Sequence, residues 1–251
     1  MSREARMSRI RPQKTALLVA QRIVKEITEA GKQPGDRLDP EHIMLETYGI
    51  GRGTLRESLR ILELQGVISL KPGSGGGPIV QKPDSSVLAS SLTLLLHYEK
   101  RPFASVVETR TVLEPAMAKF AAENASPDQL EALRLNVETV EAHLDDDVYY
   151  HRENERFHAI LAEASGNSIF QYLIAAMLGI LDGTTVGVTY PREVKELSNK
   201  IHRDIYDAIA NRDGVRAEKL MRSHLHAHAD YTATNFPASL DAPIDWMIAG
   251  G

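Results

Sequence analysis

The chain has 251 residues, 43% hydrophobic and 25% charged, which fits a globular protein with room for two domains and sizeable cores. It has no cysteine, so disulfides and thiolate metal sites are excluded. No apolar run reaches membrane-spanning length and no secretory signal is read in residues 1–22, so the expectation is a cytoplasmic protein with no membrane partner. The net charge of −5 hides an asymmetry. Residues 1–83 hold 14 Lys+Arg and 9 Asp+Glu, a balance of +5, whereas residues 84–251 hold 15 and 25, a balance of −10. A basic front half joined to an acidic back half suits a polyanion binder fused to a second module.

In chain order, residues 1–13 are basic and aperiodic and read as a flexible arm. Residues 14–30 read as a helix with Leu17, Ala20, Val24 and Ile27 inward, ended by Gly31 and Pro34-Gly35. A short apolar helix comes next, from Pro40 to Tyr48. After the tight turn Gly49-Ile50-Gly51-Arg52 comes a second helix whose Leu55, Leu59 and Leu62 form one apolar stripe. Arg52, Thr54, Arg56 and Arg60 lie on its other face, where guanidinium groups can reach phosphates and guanine edges. Val67 to Leu70 alternates as a strand, Lys71 to Pro78 is a glycine-rich turn, and Ile79-Val80-Gln81 returns. Helix, turn, helix and hairpin make a winged helix, with the second helix placed to enter a groove.

These residues resemble the GntR family of bacterial repressors. The resemblance runs from Leu38-Asp39-Pro40-Glu41-His42 through Thr54-Leu55-Arg56-Glu57-Ser58-Leu59, then Leu62-Glu63 with Gly66-Val67-Ile68, then Lys71-Pro72-Gly73. It implies that His42, Arg52, Thr54, Arg56 and the wing glycine Gly73 meet DNA. The family usually has an arginine where this chain has His42, and a neutral imidazole is the weaker phosphate partner.

Lys82-Pro83-Asp84-Ser85 reads as the domain boundary, with Asp84 or Ser85 capping the next helix. Beyond it the hydrophobic period is helical throughout. Helices are expected near 85–98, 103–124, 127–145, 147–165, 168–187, 192–211 and 214–234. The predicted fold is mostly α, a winged helix-turn-helix over 14–82 and an antiparallel all-helical bundle over 83–235, with residues 236–251 an unassigned tail. In the bundle, Arg110, Leu113-Glu114, Asn154, Phe157-His158, Ser165-Gly166-Asn167, His202 and Met221 with His224-Leu225 resemble the FCD effector domain of FadR-type GntR proteins.

Asn154 and His158, four apart, share a helix face, and His202 and His224 fall on two later helices. Three imidazoles converging in a bundle suit zinc, nickel or another borderline divalent ion. The resemblance implies a set of three histidines and an aspartate, and Asn154 occupies the aspartate position. An amide oxygen is neutral, so metal affinity is expected to drop. The other reading is a polar pocket in which the histidines bind the effector directly. His226 and His228 are read as surface or supporting residues. Arg110 either clamps the carboxylate of an anionic effector, together with Asn154, or pairs with Glu114 one turn on.

The reading is a homodimeric, ligand-responsive repressor of a palindromic duplex operator, not an enzyme, taking a small carboxylate or metal-carboxylate in the helical domain. The alternatives are an acyl-CoA-responsive regulator without metal and, further off, a metal-dependent enzyme.

Overall fold

In the computed structural model, residues 3–73, 76–182 and 188–246 are described, with side chains from residue 14 onward except that of Asp182. Expectations for residues 1–2, 74–75, 183–187 and 247–251 lie outside that range. The chain forms two compact units, Met1–Val87 and Leu88–Gly251.

The first unit holds α1 (Arg3–Glu29), α2 (Glu41–Tyr48), α3 (Arg52–Leu64), β1 (Ile68–Lys71) and β2 (Gly77–Val80). Helix α1 begins at Arg3, so the backbone of the segment read as a flexible arm is helical from residue 3. Its inward face matches the expected one at Ala20 and Ile27 and departs from it at Leu17 and Val24. Ala16, Val19, Ala20, Ile23 and Ile27 are buried, while Leu17 and Val24 are exposed. Both faces carry apolar residues at helical spacing, and only the neighbouring helices decide which is covered. The core adds Met44, Leu55, Leu59, Leu62, Ile68 and Val80.

The turn between α2 and α3 depends on Gly49. Its φ of 60° is left-handed, and its N–H donates to the Leu45 and Glu46 carbonyls. Tyr48 fixes α2 to α1 by donating its hydroxyl to Glu26 Oε2 at 2.5 Å. Leu59→Ala removes a side chain that is 1% exposed. It is expected to cost about 2–5 kcal/mol of this unit's stability, read as a lower urea midpoint with an unchanged slope.

Strands β1 and β2 pair antiparallel, Ile68 opposite Val80 and Lys71 opposite Gly77. A third segment, unexpected from the sequence, joins them. Residues 35–38 run along the other edge of β2, with Gly35 N donating to Val80 O (2.9 Å), Val80 N to Asp36 O (2.9 Å) and Leu38 N to Pro78 O (3.0 Å). Four residues with Gly35 and Asp36 among them carry no strand signal. Pairing supplies it, and it leaves β2 without a free edge on that side.

The second unit is helical: α4 (Ser86–Tyr98), α5 (Ala104–Asn124), α6 (Pro127–Ala142), α7 (Asp147–Ala164), α8 (Ser168–Asp182), α9 (Arg192–Ala210), α10 (Gly214–Asn235) and α11 (Pro237–Asp241). Asp84 caps α4 through its bond from Ser86 N (2.8 Å). Ser126 and Gln129 exchange bonds in a capping box that starts α6. Helix α5 packs on α7, α8, α9 and α10. It carries the fully buried Met117, Ala118, Ala121 and Ala122, which meet Phe157, Leu161, Ile205 and Ile209. The small alanines let helix axes approach, which brings polar side chains of α5, α7, α9 and α10 into one interior region.

Candidate functional site

In the first unit the side chains of His42, Arg52, Arg56, Arg60 and Lys71 are exposed, as is Gly73, and Thr54 is half-buried. Burial of Leu55, Leu59 and Leu62 on one face of α3 turns the arginines outward. Glu63 ties α3 to the wing by accepting from Leu70 N at 3.2 Å. Arg56, Arg60, Lys71 and Gly73 line one groove between α3 and the wing. Arg52, Arg56, Arg60 and Lys71 have no side-chain hydrogen bond or ion pair among the described residues. Gly73 has φ 100°, a conformation that suits glycine and leaves the wing backbone open to close approach.

In the second unit His158 (α7), His202 (α9) and His224 (α10) converge. All three are buried, and a ligating nitrogen from each lies within 4.8 Å of the others. His202 Nε2 and His224 Nε2 are 3.1 Å apart. Two imidazoles on one ion with bonds of about 2.0–2.1 Å place their nitrogens roughly 3 Å apart, so this pair has ligand spacing. The Phe157 ring stacks on His202 at 3.9 Å and fixes its plane. Burial holds His202 and His224 well below their ordinary pKa, and the neighbouring His158 adds to that. They are therefore neutral, the form that ligates.

Glu114, which the sequence offers only as a partner for Arg110, organises the site. It is fully buried on α5, with Oε1 on Arg110 Nε (2.5 Å) and Oε2 on His158 Nδ1. Burial pushes its carboxyl up, but Arg110 and then His158 outweigh that and bring it down to about 2. A carboxylate on one ring nitrogen fixes the imidazole's orientation and leaves Nε2 for an ion. The donor set thus fits a divalent metal. Sequence spacing showed the Arg110–Glu114 contact, four apart on one helix. The Glu114–His158 bond joins residues 44 apart and had no local signal.

Arg110 pairs with Glu114 and also lines a cavity of about 80 Å³. Asn154, His151, Thr111, Tyr190 and His228 line the same cavity. Of the two histidines read as surface or supporting residues, His228 takes the supporting place, its ring centroid 6.3 Å from that of His224. It is half-buried against Tyr190, ring centroids 5.0 Å apart, and burial, then Arg110, pushes it down to about 4. His226 is exposed, as its position on the helix required.

Residues 15–76 match the family of bacterial regulatory proteins called the gntR family, and residues 105–227 match the FCD domain. The HTH-type transcriptional repressor NanR of Salmonella schwarzengrund is 29% identical over 199 residues, covering 77% of this chain and 74% of that protein. NanR of Salmonella typhimurium matches to the same extent. A solved structure of Streptococcus agalactiae GntR superposes with a TM-score of 0.68 at 26% identity, over 86% of this chain and 99% of that one. A winged helix with an exposed basic helix, followed by a helical domain with a polar cavity, is a DNA-binding transcriptional regulator. The chain belongs to the gntR family and carries an FCD domain. Among the described residues no helix is long and apolar enough to cross a membrane.

Proposed function

We propose that this protein is a ligand-responsive repressor that binds a palindromic operator as a homodimer, through α3 and the wing. The observation that carries the reading is the set of exposed Arg52, Arg56, Arg60 and Lys71, unpaired among the described residues, beside a glycine wing tip. Unpaired surface cations bind a polyanion without first breaking ion pairs of their own. The repressor name of the NanR relatives supports the same direction of control. A duplex has two-fold symmetry, which a dimer matches. Helix α4 exposes Leu88, Leu94, Leu95 and Tyr98, an apolar face that a second copy would cover.

The effector we assign to the helical domain is a small carboxylate, held by Arg110 and Asn154 beside a divalent ion on His158, His202 and His224. Bound there, zinc or nickel would supply a positive centre for the acid's oxygens. A lining that includes Arg110, Thr111, His151, Asn154 and His228 suits the head of a small acid better than a long acyl chain, which favours this over an acyl-CoA. An enzyme would need a base beside the histidines. The adjacent carboxylate, Glu114, is engaged on both oxygens, which leaves Glu155 on the cavity wall as the candidate base of that alternative.

Selection of bound duplexes from a random pool is expected to return inverted repeats with half-sites spaced by whole helical turns, about 10 base pairs each. Small carboxylates that raise the melting temperature in the presence of zinc are expected to lower affinity for the selected duplex. Recovery of duplexes with no shared sequence would sink the operator reading. Failure of every acid to bind would sink the effector reading.

A further inference from the structure

The cavity has a wall that lies outside the stretch matched to the FCD domain, which ends at residue 227. Ser239 and Leu240 of α11 line it together with Arg110 and Asn154. The chain then crosses to the loop before α5. Phe103 N donates to Ala242 O (3.2 Å) and Ile244 N to Arg101 O (3.0 Å), which pairs Pro102 with Pro243 in an antiparallel bridge. Ile244 is 1% exposed and joins the core with Phe103 and Val106. Beyond it the chain reaches α4. His97 Nδ1 lies 3.2 Å from Ile244 O, and Trp246 Nε1 donates to Ser90 Oγ at 3.3 Å. Leu240 and Ile244 are about four residues apart, at most about 14 Å of extended chain, so displacement of one end has little slack to absorb it.

From this geometry we infer that residues 236–246 are a strap that closes one side of the effector cavity and tethers α4, the first helix after the DNA-binding unit in the chain. The inference rests on the effector reading of the cavity and adds its route of regulation. An occupant that pushes on Ser239 and Leu240 draws on Ile244 and Trp246. The α4 contacts at Ser90 and His97 are then strained or released. The tether is a few hydrogen bonds, the exposed His97–Asp245 contact at 3.7 Å and one buried isoleucine, which a bound ligand can shift.

The test needs no ligand. Trp246 is the single tryptophan of the chain, so intrinsic tryptophan fluorescence reports the strap alone. Leu240→Ala alters only the strap's face of the cavity. It is expected to shift the Trp246 emission and to speed amide exchange across residues 88–98 about tenfold. Thr111→Ala, on the α5 wall, is expected to leave both at wild-type values. The chain has no cysteine, so Pro102→Cys with Pro243→Cys forms a clean pair. The position has the close spacing of a pair between two ladder bonds, which suits a disulfide. In oxidised protein the lock is expected to return α4 exchange in Leu240→Ala to the wild-type rate, and reduction to restore the faster one. The inference is overturned if Leu240→Ala moves neither signal, if Thr111→Ala moves both equally, or if the lock leaves α4 exchange fast. A cavity that binds no small carboxylate would instead remove the effector reading, with these signals still reporting on the strap.

Discussion

Arg56→Ala is expected to weaken binding to the selected duplex about ten- to hundredfold while leaving the helical domain's melting temperature unchanged. Arg56 is exposed on α3, has no intramolecular partner among the described residues and lines the groove that ends at Gly73. Its removal therefore costs the fold little, and the loss falls on the complex. A guanidinium on a base edge contributes about 1–3 kcal/mol and on a phosphate adds about one to the salt slope. The two cases separate experimentally. If Arg56 reads a base, the variant relaxes preference at one half-site position and keeps its salt slope. If it holds a phosphate, affinity falls on every sequence and the slope drops. Arg52→Ala, at the start of α3, is expected to behave as a phosphate contact, because the positive end of the helix dipole at the first turn favours an anion there. Wild-type affinity in both variants would remove α3 as the reading element. His42→Arg restores the cation usual in the family and is expected to tighten binding with a steeper salt dependence.

His202→Ala and His224→Ala are each expected to lose zinc by at least about a hundredfold in a chelator competition, because each removes a buried imidazole of the convergent set. His158→Ala should do the same while leaving the affinity of metal-free protein for the duplex near wild type. That separates the effector site from the DNA interface. Glu114→Gln keeps the shape and removes the charge that orients His158, and a loss of about 10–100-fold in metal affinity is expected. Asn154→Asp, which supplies the carboxylate usual at this position, is expected to raise affinity. A hard, charged oxygen repays its desolvation on a divalent ion better than an amide. Wild-type protein that retains no zinc or nickel against a weak chelator, with variants indistinguishable from it, would leave the histidines as direct contacts to the effector.

Much of the architecture was legible because its signals are local. Leu55, Leu59 and Leu62 define the buried face of α3 by spacing alone, Gly49 ends α2, and Ser126-Pro127 starts α6. Each of these depends on residues within one or two turns. The choice between two apolar faces on α1 was not local. Leu17 and Val24 have the right period, yet packing covers Ala16, Val19 and Ile23 instead. The site shows the same division. Asn154 with His158, and Arg110 with Glu114, are one turn apart on a helix, so their proximity comes from the helical period. Approach of His202 and His224 depends on how α9 and α10 lean on α5, which no spacing encodes.

The linear chain by itself determined the helical periods, the turn chemistry, the basic face of α3 and the residue types available for a metal and an anion. These come from backbone geometry and side-chain charge and need no partner. Only the folded interior decided that one buried carboxylate joins Arg110 to His158, that His228 lines the cavity, that residues 35–38 complete the wing sheet and that residues 239–246 wall the cavity and reach α4. Each of those depends on contacts between residues far apart in sequence, whose geometry is set by the packing of whole elements.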